Sequence, residues 1–271
     1  MKKLISILLS AMMLTSAVML ASCEKKQNDE NGDDVKNSES DLAYIQEKGT
    51  LVVGITEYEP MNYQVDGKWT GFDTEFAEAV AEKLGVEVEF VEIDWDGKIM
   101  ELDSRAIDCV WNGMTLTDEV LNGMTCSNPY VVNAQVVVMN KDELDDYESA
   151  DDIKDLTFAV ESGSAGEKAL KELNIDSTAV ATQADALMEV ASGSVDACVI
   201  DITMANAMTG EGTSYKNLGY AISLTEEFYG IGFRKGSDAA EKVNGIIADL
   251  TADNTLPELA EKYELTLALA E

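Results

Sequence analysis

The feature that most constrains the fold is an alternation of short apolar strands with an amphipathic helix, which begins near Thr50. Residues 51–55 form an apolar run with one glycine, and residues 86–93 alternate in polarity. Between them, apolar side chains recur at four-residue spacing from Phe72 to Leu84, which is the period of one helix face. Alternating strands and helices predict an α/β protein whose sheets carry helices on both faces.

The same alternation returns further along the chain. Residues 157–161 and 195–200 are predicted strands, and residues 166–173 and 184–192 are predicted helices. We therefore expect two similar lobes, each built on a mixed, mostly parallel sheet flanked by helices. In such sheets, ligands bind beyond the carboxyl ends of the strands.

Several further elements complete the pattern. Strands are predicted at residues 107–111, 133–139, 218–224 and 229–233, and a closing helix is predicted at residues 239–250.

The amino terminus predicts an export signal. A positive start, Lys2 and Lys3, precedes the apolar run of residues 4–19. The run leads into Leu-Ala-Ser-Cys, which ends at Cys23 and resembles the lipobox of bacterial lipoproteins, where cleavage precedes an acylated cysteine. An uncleaved membrane-spanning anchor is the alternative, and it would hold the protein at the same surface.

On the lipobox interpretation, residues 1–22 are a signal peptide and Cys23 carries lipid such as palmitate. Residues 23–41 are the lipidated tether. Beyond Cys23, the one apolar side chain in this segment is that of Val35. A segment this polar cannot bury enough apolar surface to offset its ordering entropy, so it is predicted to be disordered. Folded sequence is expected from about Leu42.

Composition excludes several classes of function. The chain has 52 acidic and 19 basic residues and a net charge of −33, which argues against a nucleic-acid partner. It contains no histidine, so Ser-His-Asp catalysis, Cys-His catalysis and histidine-ligated metal sites are excluded. No cofactor is expected. We expect Cys109, Cys126 and Cys198 to be buried free thiols, with a Cys109–Cys126 disulfide as the alternative.

A series of blocks, in order along the chain, resembles the signatures of family 3 extracellular solute-binding proteins, the amino-acid-binding components of ABC importers. The blocks are GFDTEF at residues 71–76, IDCVWNGMTLT at 107–117, SNPY at 127–130, VESGSAG at 160–166, VDACVID at 195–201 and YGIGFRK at 229–235. The resemblance covers the chain from about Leu42 to its end.

The resemblance implies a type II periplasmic-binding-protein fold with a ligand cleft between two lobes. Lobe 1 is expected at residues 42–138 and 228–271, and lobe 2 at residues 139–227. The implied protein is an extracytoplasmic, lipid-anchored monomer that closes by hinge motion on an amino acid or similar small molecule. Its implied partners are the permease subunits of an ABC importer. A sensor-linked binding protein and a dehydratase-like enzyme on the same fold are the alternatives.

The main binding residue implied by the resemblance is Asp201, since the matching acid in the family pairs with the ligand's α-ammonium. Asp201 ends an apolar run, where an unpaired acid is costly to bury. The alternative role is an N-cap for the helix that follows, and the two roles can coexist. The family directs the turn formed here by Ser164, Ala165 and Gly166 at the ligand carboxylate, and helix N-termini favour anions.

Other positions match family contact points. Gly113, through its backbone, and Thr115 match positions that contact ligand, and Asn112 adjoins them. Trp95 and Tyr58 lie where relatives place cleft walls, although Trp95 could simply be packing.

One family feature is missing. Relatives that bind α-amino acids carry T-x-E-R, whose arginine clamps the α-carboxylate with two hydrogen bonds. Here residues 117–120 read TDEV, so Val120 takes the arginine's place. The chain's arginines, Arg105 and Arg234, align elsewhere. Either another group receives the carboxylate, or the ligand lacks the standard one.

Overall fold

The computed structural model describes residues 40–268. The predicted signal peptide, the lipidation site Cys23 and most of the predicted tether lie outside the described residues. The first helix already begins at Asp41, capped by the Ser40 side chain, so folded sequence starts slightly earlier than expected. Within residues 40–268, no helix combines the length and the apolar character needed to cross a bilayer.

The elements of the described range follow the predicted alternation. The strands are β1 Thr50–Ile55, β2 Tyr63–Val65, β3 Lys68–Thr70, β4 Glu87–Glu92, β5 Cys109–Val110, β6 Met124–Cys126, β7 Val131–Asn133, β8 Gln135–Asn140, β9 Phe158–Glu161, β10 Thr178–Val180, β11 Ala197–Asp201, β12 Leu218–Ser223, β13 Glu227–Tyr229 and β14 Gly232–Arg234. The helices are α1 Asp41–Lys48, α2 Phe72–Leu84, α3 Lys98–Asp103, α4 Asp118–Gly123, α5 Ala165–Glu172, α6 Gln183–Ser192, α7 Ile202–Met208, α8 Ala239–Ala252 and α9 Thr255–Lys262. Short 3₁₀ turns cover Trp95–Gly97 and Lys141–Asp146.

These elements form two five-stranded sheets, which confirms the predicted α/β class. The first has the strand order β4-β1-β5-β14-β6, and the second has the order β10-β9-β11-β8-β12. Both are mixed. In the first, the ladders β4-β1 and β1-β5 are parallel, and those that β14 makes are antiparallel. In the second, the ladders β10-β9 and β9-β11 are parallel, and those that β8 makes are antiparallel. The antiparallel share is therefore larger than expected.

The antiparallel strands are explained by the way the chain changes sheets. β7 and β13 pair with each other in a separate two-stranded ribbon. β7 leads directly into β8 of the second sheet, and β13 leads into β14 of the first sheet. The predicted strand at 133–139 is accordingly split at Ala134, and the one at 229–233 is split between β13 and β14. Hydrophobic periodicity does not register such a crossing, because both halves of each run remain buried.

We refer to the first sheet with α1–α4, α8 and α9 as the first lobe, and to the second sheet with α5–α7 as the second lobe. The predicted boundary between residues 138 and 139 falls inside β8, which belongs to the second sheet. We therefore place the first crossing at residues 131–135 and the return at residues 224–232.

Helix α2 shows how local sequence sets the first lobe. Its buried side chains include Phe72, Phe76 and Leu84, which lie on the predicted face. Gly71 precedes it with φ 117°, and a Cβ there would lie 2.3 Å from the Met61 carbonyl oxygen, so only glycine fits. Gly85 ends the helix in the left-handed conformation.

Arg234 is buried in a polar network that fastens α1 to the first sheet. Its Nε donates to both carboxylate oxygens of Asp41 at 2.9 Å. Its terminal nitrogens donate to the Ile107 carbonyl at 2.7 Å and to Asp108 at 3.3 Å. Lys48 completes the network with a 2.5 Å contact to Asp108.

The three cysteines of the described range are free thiols, so the alternative disulfide is not formed. Cys109 and Cys198 are buried on strands as predicted, whereas Cys126 is only partly buried.

Candidate functional site

A small cavity of about 40 Å³ lies where the two lobes meet. The first lobe supplies residues from Trp95 to Val120, and the second lobe supplies residues from Glu161 to Asp201. The lining residues are Trp95, Lys98, Asn112, Gly113, Met114, Thr115, Thr117, Glu119, Val120, Glu161, Gly163, Ser164, Ala165, Lys168, Gln183 and Asp201.

Asp201 lies at the second-lobe side of the cavity and is held by three amides. It ends β11, is 4% exposed, and accepts hydrogen bonds from the side chains of Asn133, Gln135 and Gln183. Gln135 is its direct partner in the antiparallel ladder, which explains why the two side chains meet. Although Asp201 precedes α7, its side chain makes no capping hydrogen bond. The capping alternative is therefore wrong, because the amides occupy the carboxylate instead.

Glu227 shares two of those three amides. Its Oε1 accepts from Gln135 at 2.6 Å, from Asn133 at 2.7 Å and from the Thr115 hydroxyl at 2.8 Å. The negative charge of the half-buried Glu227, placed around the same neutral donors, disfavours ionisation of the buried Asp201. Burial, followed by the negative charge of Glu227, raises the pKa of Asp201 to about 7.

Glu161 is a further buried acid on the same edge. It is the last residue of β9, it is 3% exposed, and its Oε1 has no hydrogen-bond partner among the described residues. Burial, followed by the charge of Asp201, raises its pKa to about 8. An acid with an open oxygen on a cavity wall can accept a cationic group.

Lys98 is the buried cation of the cavity. It begins α3, is 6% exposed, and donates to the carbonyls of Trp95 and Gly163, both at 3.1 Å. Its ammonium also lies 4.9 Å from the centre of the Trp95 ring. Burial lowers the pKa of Lys98. Gly163 belongs to the second lobe, and a Cβ on it would lie 2.7 Å from Oδ1 of Asp96 in the first, so the lobes are in close contact here.

The turn before α5 is partly placed in the cavity. Ser164 and Ala165 line it, whereas Gly166 is not among the lining residues. Ser164 caps α5 by accepting the Glu167 amide at 3.1 Å. A Cβ on Gly166 would lie 2.9 Å from the Val199 carbonyl, so glycine here permits close packing of α5 on β11. With the Glu167 amide capped, the amides of Ala165 and Gly166 have no partner within the helix and can receive an anion.

Two predicted polar positions are already engaged. Asn112 lines the cavity, but its side chain bonds to the backbone and hydroxyl of Thr56. The Gly113 amide donates to Asp73 at 2.6 Å. The expected contact from the Gly113 amide is therefore not available in this conformation, since a buried carboxylate of the first lobe takes the donor. Thr115 lines the cavity as expected.

Of the two aromatic residues predicted to form cleft walls, one lines the cavity. Trp95 lines the cavity and is 7% exposed. Tyr58 does not line it. Its hydroxyl contacts the hydroxyl of Thr203 at 2.5 Å and that of Tyr229 at 2.6 Å, and the latter two are 2.9 Å apart. This triangle of hydroxyls joins the two lobes beside the site.

Val120, which stands where relatives carry the arginine, belongs to the cavity wall. Val120 is 3% exposed and lines the cavity. Arg234 is committed to its network with Asp41, and Arg105 lies over the Tyr44 ring at 4.8 Å. Among the described residues, the lining therefore contains no guanidinium, and its cations are Lys98 and Lys168.

The sequence interpretation missed Lys98, Glu161, Gln183 and Glu227 as residues of this site. A signal existed for Glu161, because it ends an apolar strand just as Asp201 does, and parallel strands bring such ends to one edge. The others carry no comparable signal. Lys98, for example, follows an aspartate and a glycine in a stretch that reads as an ordinary helix start.

Comparison with known proteins agrees with this fold. The L-cystine-binding protein TcyJ of Escherichia coli (strain K12) is 33% identical over 229 residues, covering 82% of this chain and 85% of that protein. A mutant of ArgBP from T. maritima has a TM-score of 0.77 and 30% identity, covering 82% of this chain and 98% of the other. The ancestral amino acid-binding protein AncCDT-1, a precursor of cyclohexadienyl dehydratase, has a TM-score of 0.75 and 34% identity, covering 83% and 99%. A model of the bacterial extracellular solute-binding proteins, family 3, matches residues 51–266, and the chain belongs to that family.

Proposed function

We propose that the interlobe cavity binds an amino acid through Asp201, in a substrate-binding protein of an ABC importer. The observation that carries the proposal is the state of this carboxylate: it is 4% exposed, faces the cavity, and has neutral amides as its described hydrogen-bond partners. A ligand ammonium would supply the missing counter-charge. The amides fix the orientation of the acid without satisfying its charge.

The charges around the cavity favour a ligand with a second cationic group. Asp201 and Glu161 face it as buried acids, and the one buried lysine, among the described lining residues, is Lys98. TcyJ is named for L-cystine and ArgBP for arginine. Both compounds carry two cationic groups, so we propose a diamino or otherwise dibasic amino acid as the ligand.

Ligand entry requires the lobes to separate. A space of about 40 Å³ has room for no more than a few water molecules, whereas an amino acid is several times larger. Hinge motion of the lobes about the two crossings fits this requirement.

Calorimetric titration with L-cystine and L-arginine tests the proposal. Asp201→Asn keeps the shape of the side chain and removes its charge, and we expect it to weaken binding by about 2–5 kcal/mol. Asp176→Asn, an exposed change in the same lobe, is the matched control and should bind like the wild type. Undiminished binding by Asp201→Asn, or failure of the wild type to bind any amino acid, would overturn the proposal.

We further propose that residues 1–22 are removed and that lipid on Cys23 holds the protein to the membrane. There, as a monomer, it delivers its ligand to the permease subunits. Family membership supports the transport role. Loss of ligand uptake in cells that lack the protein is the expected result, whereas normal uptake would favour the sensor alternative. A binding role also predicts that the ligand is recovered unchanged after incubation, and conversion of the ligand would favour the dehydratase-like enzyme.

A further inference from the structure

We propose that Lys98 receives the carboxylate of the ligand and replaces the arginine that relatives carry at the position of Val120. This inference rests on the proposed amino-acid binding function. Asp201 is proposed to bind the ligand ammonium, and Lys98 is the partner of the carboxylate at the ligand's other charged group.

The first support is the environment of the Lys98 ammonium. Its described hydrogen bonds go to two neutral carbonyls, those of Trp95 and Gly163. A lysine ammonium has three N–H donors, so one donor remains for a ligand. The carboxylates of Glu119 and Glu161 lie near the ammonium, but no described ion pair joins either of them to it. A ligand carboxylate would form the direct ion pair that Lys98 lacks among the described residues.

The second support is the arrangement of charge along the cavity. Asp201 is an acid held by neutral amides on the second lobe. Lys98 is a cation of the first lobe, held by neutral carbonyls where the two lobes meet. Both line one small cavity. An α-amino acid is a zwitterion and would pair with both groups at once.

The third support is Val120. It lines the same cavity as Lys98, so a guanidinium reaching in from position 120 and the existing ammonium would compete for one space of about 40 Å³. The valine leaves room for Lys98 and a ligand carboxylate. The other lining lysine, Lys168, is a poorer candidate, because its Nζ lies 3.8 Å from Glu172 on the exposed face of α5.

The test compares an acid with its amide. Titrations use L-arginine against L-argininamide, and L-cystine against its bis-amide. We expect the wild type to prefer the acid by about 10- to 100-fold, the worth of a hydrogen bond to a charged group. Lys98→Met should abolish that preference, and Lys98→Arg should keep it. Lys83→Met, a change at an exposed lysine of α2 outside the cavity, is the matched control and should keep it as well.

A role in packing or lobe contact alone would weaken binding of acid and amide equally in Lys98→Met, and that result would overturn the assignment while leaving the proposed function intact. The double variant Lys98→Met/Val120→Arg restores a cation from the family position and should recover the preference for the acid. If no amino acid binds the wild type, the proposed function fails and this inference fails with it. Should Lys98→Met not fold, Lys98→Gln provides the same comparison.

Discussion

Two hydrogen bonds join Asp201 to the side chain of Gln183. The Gln183 side-chain amide donates to the Asp201 carboxylate, and its oxygen accepts the Asp201 backbone amide at 2.8 Å. Gln183 is the first residue of α6, and a capping box formed by Thr182 and Asp185 fixes that end of the helix. The start of α6 therefore orients the acid proposed to bind the ligand.

Replacement of Gln183 by leucine should lower both stability and affinity. The Asp201 backbone amide would lose its partner while remaining buried, which costs about 1–3 kcal/mol of unfolding free energy. Denaturant titration measures this loss, and calorimetry measures the accompanying loss of ligand affinity. The exposed glutamine Gln64 provides a control through Gln64→Leu, which should change neither quantity appreciably. Wild-type affinity in Gln183→Leu would show that Asp201 needs no support from α6.

Ligand affinity should rise with pH across the neutral range. Burial raises the pKa of Asp201 to about 7 and that of Glu161 to about 8 in the ligand-free protein. A cationic ligand prefers the ionised acids, so below these values binding must first expel protons, and affinity falls as the pH falls. Calorimetry in buffers of different ionisation enthalpy should detect proton release near pH 7. Glu161→Gln should reduce the number of protons released, and an affinity that stays constant between about pH 5.5 and pH 8.5 would contradict the prediction.

Val120→Arg should weaken binding of the native ligand. The new guanidinium would enter a cavity that already holds the buried ammonium of Lys98, so it adds like-charge repulsion and fills the space of the ligand. Val120→Leu is a control for size without charge. Tighter binding by Val120→Arg would mean that the carboxylate is not already matched, and would return the protein to the usual arginine-dependent mode of its family.

Cys23→Ala should abolish lipid labelling and leave an unprocessed precursor. Metabolic labelling with a fatty acid, followed by separation of membrane and soluble fractions, measures this. Cys126→Ala controls for labelling of a partly exposed thiol elsewhere. Since several acyl chains give firm retention, the wild type should remain in the membrane fraction after salt washing. Equal labelling of Cys23→Ala would contradict the lipobox interpretation.

The regular elements could be predicted because their signals are local. The buried face of α2 is predicted by the four-residue spacing of apolar side chains from Phe72 to Leu84, and it is confirmed. The exact residues of the crossings at β7 and β13 could not be predicted from periodicity, because the apolar runs continue through the point where the chain changes sheets. Of the predicted strand at 107–111, Cys109–Val110 is confirmed. The backbone amides of Asp108 and Trp111 still donate to carbonyl oxygens of β1, although neither residue is a ladder partner.

The residues of the site also differ in whether local sequence could identify them. Asp201 could be identified because an acid that ends an apolar strand must have a reason to be buried, and the resemblance supplied one. Engagement of the Gly113 amide by Asp73 depends on two segments forty residues apart meeting in space. The position of Lys98 depends likewise on the second lobe, whose Gly163 carbonyl holds it. Contacts of this kind leave no trace in a local pattern.

The close approach of Gly163 to Asp96 makes this glycine a spacer of minimal thickness between the lobes. With φ 69° and a would-be Cβ only 2.9 Å from the Asp96 Cα, any larger residue would act as a wedge. A wedge at this point would leave every ligand-facing side chain chemically unchanged and would still bias the lobes towards separation. A bias towards separation lowers the apparent affinity for every ligand that closes the lobes, so one residue can tune affinity and release of the ligand together while the lining side chains still set which ligand is chosen.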